Sequence, residues 1–328
     1  MRVAVFSTMS YDKDYLNRFN EGVNELVFFE APLNINTANL TQGFTAVCVF
    51  VNDKLDEATI NAIAGNGVKL IVLRCAGFNN VTLDTAKKNN ISVMRVPAYS
   101  PYAVAEHAVA LMLTLARKTH KAYNRVRESN FSLERLNGFN IHGKTIGVIG
   151  TGRIGVAFCR IMLGFGARVI AYDVVESPEL INAGVTYTTL DEITTQSDII
   201  SLHCPLTPET KYLINKDSIS KMKTGVMLIN TSRGGLINTK DVLVGLKQGK
   251  IGYLGIDVYE QEEKLFFFDL SESIVEDDLI ARLISFPNVL ITAHQGFFTN
   301  EALEQIASTT IGNILAFENG KLSGNELA

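Results

Sequence analysis

Three side chains stand just past the ends of β-branched runs, and together they could move a hydride and a proton. Arg233 follows the run 225–230, Glu262 follows 252–258, and His294 follows 288–293. A guanidinium pairs with a carboxylate at two points and polarises a neighbouring keto oxygen. An imidazole can give a proton to a nascent alkoxide, or remove it in the reverse direction, because its ordinary pKa lies near physiological pH. A carboxylate beside that imidazole fixes its tautomer and stabilises the imidazolium. Taken singly, each residue has a plainer reading: a surface charge, a hydrogen-bonded core histidine, or one more carboxylate in the acidic run from Glu260 to Asp278. As a set they point to hydride transfer to or from a 2-oxo acid.

Such chemistry needs a carrier, and the middle of the chain offers a seat for one. Gly150-Thr151-Gly152-Arg153-Ile154-Gly155 follows the apolar run 145–149 and opens an apolar helix, and the next run ends in Asp173. This is the context a dinucleotide fingerprint requires. Gly150 permits the turn, Gly152 lets a pyrophosphate approach the backbone, and Gly155 lets helix and strand pack closely. The N–H groups at the helix start, from Arg153 and Ile154 on, face the phosphates. Asp173 accepts hydrogen bonds from ribose hydroxyls and repels a 2′-phosphate, which selects NAD. His203-Cys204-Pro205 ends another strand and would form a wall of the cofactor slot. No spacing of His, Cys or carboxylates suits a metal.

The 328 residues suit about two domains at ~150 each. Hydrophobic residues make up 47% and charged ones 20%, with a formal charge of −4, so nothing in the charge favours nucleic acid or an anionic membrane. Residues 1–7 read as a first strand rather than a leader, and the longest apolar stretch, 108–116, falls short of the ~20 residues a membrane span needs. Four scattered cysteines (Cys48, Cys75, Cys159, Cys204) suggest free thiols in a reducing cytoplasm. Short apolar runs alternate with helical patterns throughout, so the fold class is α/β with parallel sheets. An oxygen-bearing cap followed by proline marks helix starts at Ser100-Pro101, Ser177-Pro178 and Thr207-Pro208. The first opens one long helix from Tyr102 to about Arg127, read as a spine between domains. It contains His107 and His120, and His142 lies in the loop before the fingerprint; none of them competes for the catalytic role. A last helix, Asn300 to about Asn319, would return to the N-terminal domain.

These residues resemble the D-isomer-specific 2-hydroxyacid dehydrogenases. The match rests on the fingerprint, Asn230-Thr231-Ser232-Arg233-Gly234, Gly255-Ile256-Asp257-Val258-Tyr259-Glu260 and Ala293-His294-Gln295-Gly296-Phe297. Leu73 to Asn80 and Val96 to Pro101 look like the fermentative D-lactate dehydrogenase branch. The resemblance implies two Rossmann-like or flavodoxin-like domains with the site in the cleft. The substrate domain would be discontinuous, 1–100 plus 296–328, and the NAD-binding domain would cover 101–295. It implies Arg233 as substrate-orienting cation, His294 as acid/base and Glu262 as its partner. Asp257 would play a supporting role near the nicotinamide and the catalytic pair, and Thr231 would bind the cofactor. Cys75, Ala76 and Gly77 would hold the substrate carboxylate through backbone N–H groups, with Tyr99 close by and Phe297 narrowing the pocket. The implied reaction joins pyruvate and D-lactate. The alternatives are a larger 2-oxo acid (phenylpyruvate or a branched-chain analogue) and an NAD-binding regulator like the related corepressors. A homo-oligomer, dimer or tetramer, is expected.

Overall fold

The computed structural model describes residues 1–263 and 265–328. The chain divides into two compact units, Met1–Ser100 with Phe298–Ala328, and Pro101–Phe297. The second boundary falls two residues later than expected. Gly296 N–H donates to the buried Asp257 carboxylate, which ties residue 296 to the second unit.

The first unit is built on a five-stranded parallel sheet of order β2-β1-β3-β4-β5. Its strands are β1 (Arg2–Val5), β2 (Glu25–Phe28), β3 (Ala46–Val49), β4 (Leu70–Leu73) and β5 (Ser92–Arg95). Every residue of β4 is fully buried, as continuous apolar runs demand of a strand covered on both faces. Each buried Leu or Ile there contributes about 1.5–3 kcal/mol. The helix Asn300–Glu318 buries Ala307, Ile311 and Ile314 in this unit's core. The chain end then pairs with β5, Leu327 N–H donating to Val93 O at 2.7 Å.

The second unit carries seven parallel strands in the order β12-β11-β10-β9-β6-β7-β8. They are β6 (Thr145–Ile149), β7 (Arg168–Tyr172), β8 (Thr186–Tyr187), β9 (Ile199–Leu202), β10 (Val226–Asn230), β11 (Ile251–Ile256) and β12 (Val289–Ile291). Register aligns Ile149, Leu202, Asn230, Ile256 and Ile291 across the sheet. Residues just beyond each of them therefore emerge along one edge, about 19 Å long at ~4.8 Å per strand.

Strands β2 and β8 escape the sequence reading, because a partly exposed four-residue edge strand and a two-residue strand carry almost no periodic signal. Two further expectations are corrected. The long helix is two, Pro101–Arg117 and Thr119–Arg127, broken where Lys118 takes φ +53°. Beyond that break no residue is buried, so nothing holds the second helix in line with the first. Thr207-Pro208 opens only a turn; Thr207 and Thr210 cap each other's N–H groups there and close it. All four cysteines are buried free thiols. No helix is long and apolar enough, among the described residues, to cross a membrane.

Candidate active site

The order of the second sheet reverses between β6 and β9, and in open α/β sheets ligands bind beyond the strand ends at such a point. The two strands lead into Gly150 and into His203-Cys204. Gly150 has φ +97°, and a Cβ there would come within 2.5 Å of Cys204 N. A Cβ on Gly155 would reach Gly150 O at 2.0 Å, so both positions require glycine. Gly152 is different: a Cβ there meets nothing within 4 Å. It begins the helix Arg153–Gly164 with no side chain capping the free N–H groups. Open space over uncapped N–H groups, at the positive end of the helix dipole, is a seat for a phosphate. Arg153 is exposed and Ile154 half-buried on this first turn.

Asp173 stands at the end of β7, where its Oδ2 accepts the N–H and the hydroxyl of Thr151. Tyr187 donates its hydroxyl to Thr151 Oγ1 at 2.8 Å and so braces the same turn. Cys204 is buried and Pro205 exposed. Burial pushes the Cys204 thiol up to about 11, so it stays protonated at neutral pH. Its carbonyl accepts the Ser232 hydroxyl at 2.6 Å. Thr231 Oγ1 is buried with no hydrogen-bond partner.

Arg233 follows β10. Its Nη1 donates to Ser232 O at 2.7 Å, and among the described residues no carboxylate pairs with it. A half-buried guanidinium without a counter-ion suits an anionic ligand. The next residue, Gly234, lies against the backbone of Tyr259 and Glu260, where a Cβ would sit 2.1 Å from Tyr259 C. The Arg233 loop is thus locked to the segment bearing Glu262.

Glu262 Oε1 lies 2.8 Å from His294 Nδ1, while Oε2 accepts the Tyr259 N–H at 2.9 Å. The Phe267 ring lies 6.0 Å from the His294 ring. The pair is half-buried, with side chains 20% and 24% exposed. With Nδ1 engaged, Nε2 is the ring atom left to exchange a proton with a ligand. His294 itself has φ +52°, a strained conformation for a non-glycine residue that its surroundings must enforce.

Asp257 stands just past the end of β11, on the edge from which Arg233 and His294 also emerge. It is 1% exposed. Oδ1 accepts Thr292 Oγ1 at 2.5 Å and Gln295 N–H at 2.9 Å, and Oδ2 accepts Gly296 N–H at 2.8 Å. With its oxygens committed inside the protein, it buckles the segment that presents His294. Burial pushes this carboxyl up, yet the hydrogen bonds from His107, Thr292 and Gln295 outweigh that and hold it below its ordinary range.

The first unit places Cys75, Ala76 and Gly77 in the turn after β4, where Cys75 Sγ donates to Gly77 O and Arg95 Nη1 donates to Ala76 O at 2.8 Å. Beneath it lies Arg74, 2% exposed, paired with Asp12 and donating to Ser7 O at 2.7 Å. Tyr99 is half-buried in the same unit, and Phe297 is buried at the end of the second. The sequence reading missed Tyr187 and Thr292, and it set His107 aside as a helix residue. No group of three or more His, Cys, Asp or Glu among the described residues could hold a metal.

Residues 109–296 match the family described as D-isomer specific 2-hydroxyacid dehydrogenase, NAD binding domain. The whole chain is 51% identical over 328 residues to the D-lactate dehydrogenase of Escherichia coli K12, covering 100% of both. The chain belongs to the D-isomer-specific 2-hydroxyacid dehydrogenases.

Solved structures of the family match in three dimensions. The pyruvate reductase of Chlamydomonas reinhardtii superposes with a TM-score of 0.95 at 46% identity, covering 99% of this chain and 98% of that one. D-lactate dehydrogenase from Aquifex aeolicus, solved with NAD and lactic acid, gives 0.88 at 36%, with 99% and 98% covered. As a D-isomer-specific 2-hydroxyacid dehydrogenase this enzyme uses NAD, and its residues fit that cofactor. The uncapped helix start at Gly152 fits the pyrophosphate, and the orphaned Thr231 hydroxyl offers a polar group at the strand end next to Arg233.

Proposed function

We propose that this D-2-hydroxyacid dehydrogenase reduces pyruvate to D-lactate with NADH and catalyses the reverse reaction. The observation that carries the reading is the 2.8 Å contact of His294 Nδ1 with Glu262, which leaves Nε2 as the proton donor. Full-length identity to a D-lactate dehydrogenase supports pyruvate as the acid.

When bound, NADH supplies the hydride that reduces C2 of the keto acid and leaves as NAD⁺. Arg233 grips the carboxylate and polarises the keto oxygen. The backbone N–H groups of Cys75, Ala76 and Gly77 are assigned to that carboxylate, and Tyr99 and Phe297 to the wall around the small methyl group. Protonated His294 gives its Nε2 proton to the oxygen as C2 is reduced, so the product is a neutral hydroxyl. Glu262 stabilises the imidazolium before that transfer and keeps the ring in line. The cofactor's pyrophosphate is assigned to the turn Gly150–Gly155, its adenine ribose to Asp173, and its nicotinamide end to Cys204, Pro205 and Thr231. The enzyme is read as cytoplasmic and homo-oligomeric; light scattering on the purified protein gives the subunit number.

The test is a panel of kcat/KM values for 2-oxo acids with NADH and NADPH, with the product's chirality determined. Pyruvate should lead and yield D-lactate. A higher value for phenylpyruvate or a branched-chain acid moves the assignment to that substrate. No NADH oxidation with any acid would leave an NAD-binding regulator.

A further inference from the structure

Beside the catalytic pair lies a buried polar cluster of His107, Asp257 and Thr292. The side chains of His107 and Asp257 are 15% and 2% exposed. His107 Nε2 lies 2.9 Å from Thr292 Oγ1 and 3.2 Å from Asp257 Oδ1. The protons can be assigned by what each group is able to do. An ionised carboxylate only accepts, so the Thr292 hydroxyl spends its one proton on Asp257 at 2.5 Å. Nε2 then faces two acceptors and must carry a hydrogen.

We infer that His107 is a positioning residue for His294: its Nε2–H, held by Thr292 and Asp257, fixes the segment 292–296 so that the His294 ring meets Glu262. The inference rests on the acid/base role given to His294 above. Asp257 grips this segment on both sides of the catalytic residue. Its carbonyl accepts the His294 N–H at 2.7 Å, and its carboxylate accepts the N–H groups of Gln295 and Gly296. Such gripping is what keeps His294 at φ +52°, a conformation that persists only where the surroundings over-determine it. His107 adds a rigid anchor to it. The helix Pro101–Arg117 buries Ala105, Ala108, Leu111, Met112 and Leu115 in the core of the second unit, so the imidazole comes from an element that does not move with the loop. Gly296 lies next to it: a Cβ there would come within 3.0 Å of Asp257 Oδ2 and 3.5 Å of His107 Cδ2.

The test compares His107→Phe, which keeps a ring but removes the donor, with His107→Gln, whose amide can restore an N–H near the Nε2 position. Steady-state kinetics is run beside NADH binding by fluorescence and histidine ¹⁵N NMR of the full-length protein. His107→Phe should lower kcat about tenfold or more, because displacing a catalytic group by ~1 Å is worth about 100-fold. KM for pyruvate and NADH affinity should stay within about twofold, the His294 ring signals should shift, and His107→Gln should recover most of kcat. Thr292→Val, isosteric but without the hydroxyl, should reproduce the loss if His107→Phe fails to fold. Wild-type kcat with unmoved His294 signals in His107→Phe would overturn the inference, as would equal impairment of both His107 variants. Failure of the wild type to turn over any 2-oxo acid would instead sink the enzymatic reading, while the NMR comparison still decides the positioning.

Discussion

Glu262 and His294, 32 residues apart in the chain, meet at 2.8 Å between Oε1 and Nδ1. The second carboxylate oxygen is engaged as well, by the Tyr259 N–H at 2.9 Å, so the side chain is held at both ends. Replacing it with glutamine keeps an oxygen for one of these donors and removes the charge. Glu262→Gln should lower kcat by about 10- to 100-fold, within the range general acid–base catalysis supplies, and leave NADH affinity unchanged. Stopped-flow reduction of pyruvate measures it. An unaltered kcat would mean that the charge of Glu262 plays no part.

Cofactor choice is expected to rest on Asp173, whose carboxylate is tied to the fingerprint turn through Thr151. Asp173→Ala removes the group that repels a 2′-phosphate. The ratio of kcat/KM for NADPH over NADH should rise at least about tenfold, the worth of ~1.4 kcal/mol of charge repulsion. A ratio that does not move would place the selectivity elsewhere.

Arg74 is a matter of stability. It lies 2% exposed, its Nε 3.0 Å from Asp12 Oδ1, and its guanidinium stacks over Phe50. Removing one partner of a buried pair strands the other charge, a cost of about 3–5 kcal/mol. Arg74→Met should show that loss in urea unfolding at pH 7. Loss below about 1 kcal/mol would indicate that water reaches Asp12 and relieves it.

The His203 ring packs on Phe158, its Nε2 meets Ser201 Oγ at 2.8 Å, and desolvation pushes the imidazole down to about 3. An unfolded chain takes up this proton near pH 6.5, so between about 6.5 and 3 the unfolded state binds more protons than the folded one. Stability should therefore be complete above pH 6.5 and decline as pH falls through that window. His203→Gln removes the contribution, and its loss of stability from pH 7 to pH 5 should be smaller than the wild type's. Parallel slopes in the two proteins would show that the ring is hydrated after all.

Much of the sheet frame was legible because its signals are local. Among the described residues, ten of the twelve strands announce themselves as apolar runs; β2 does not because none of its residues is fully buried, and β8 because it has only two residues. The helix break at Lys118 left no trace, since neither glycine nor proline marks it. Thr207-Pro208 carries a helix-start signal that the turn closed by Thr207 and Thr210 overrides.

The sequence by itself determined that a glycine turn with an acidic strand end would seat a dinucleotide. Backbone sterics and a helix start act within a few residues, and Gly150, Gly155 and Asp173 needed no distant partner to be recognised. Glu262 could be named as the partner of His294 from sequence, but only the tertiary structure brings the two side chains together, through the register that aligns Ile256 with Ile291. Tertiary structure also decided that Asp257, Thr292 and His107 meet in one hydrogen-bonded cluster. Contacts across 35 and 185 residues leave no periodicity to read, and a buried hydrogen bond is specified by where the chain packs, not by its neighbours in sequence.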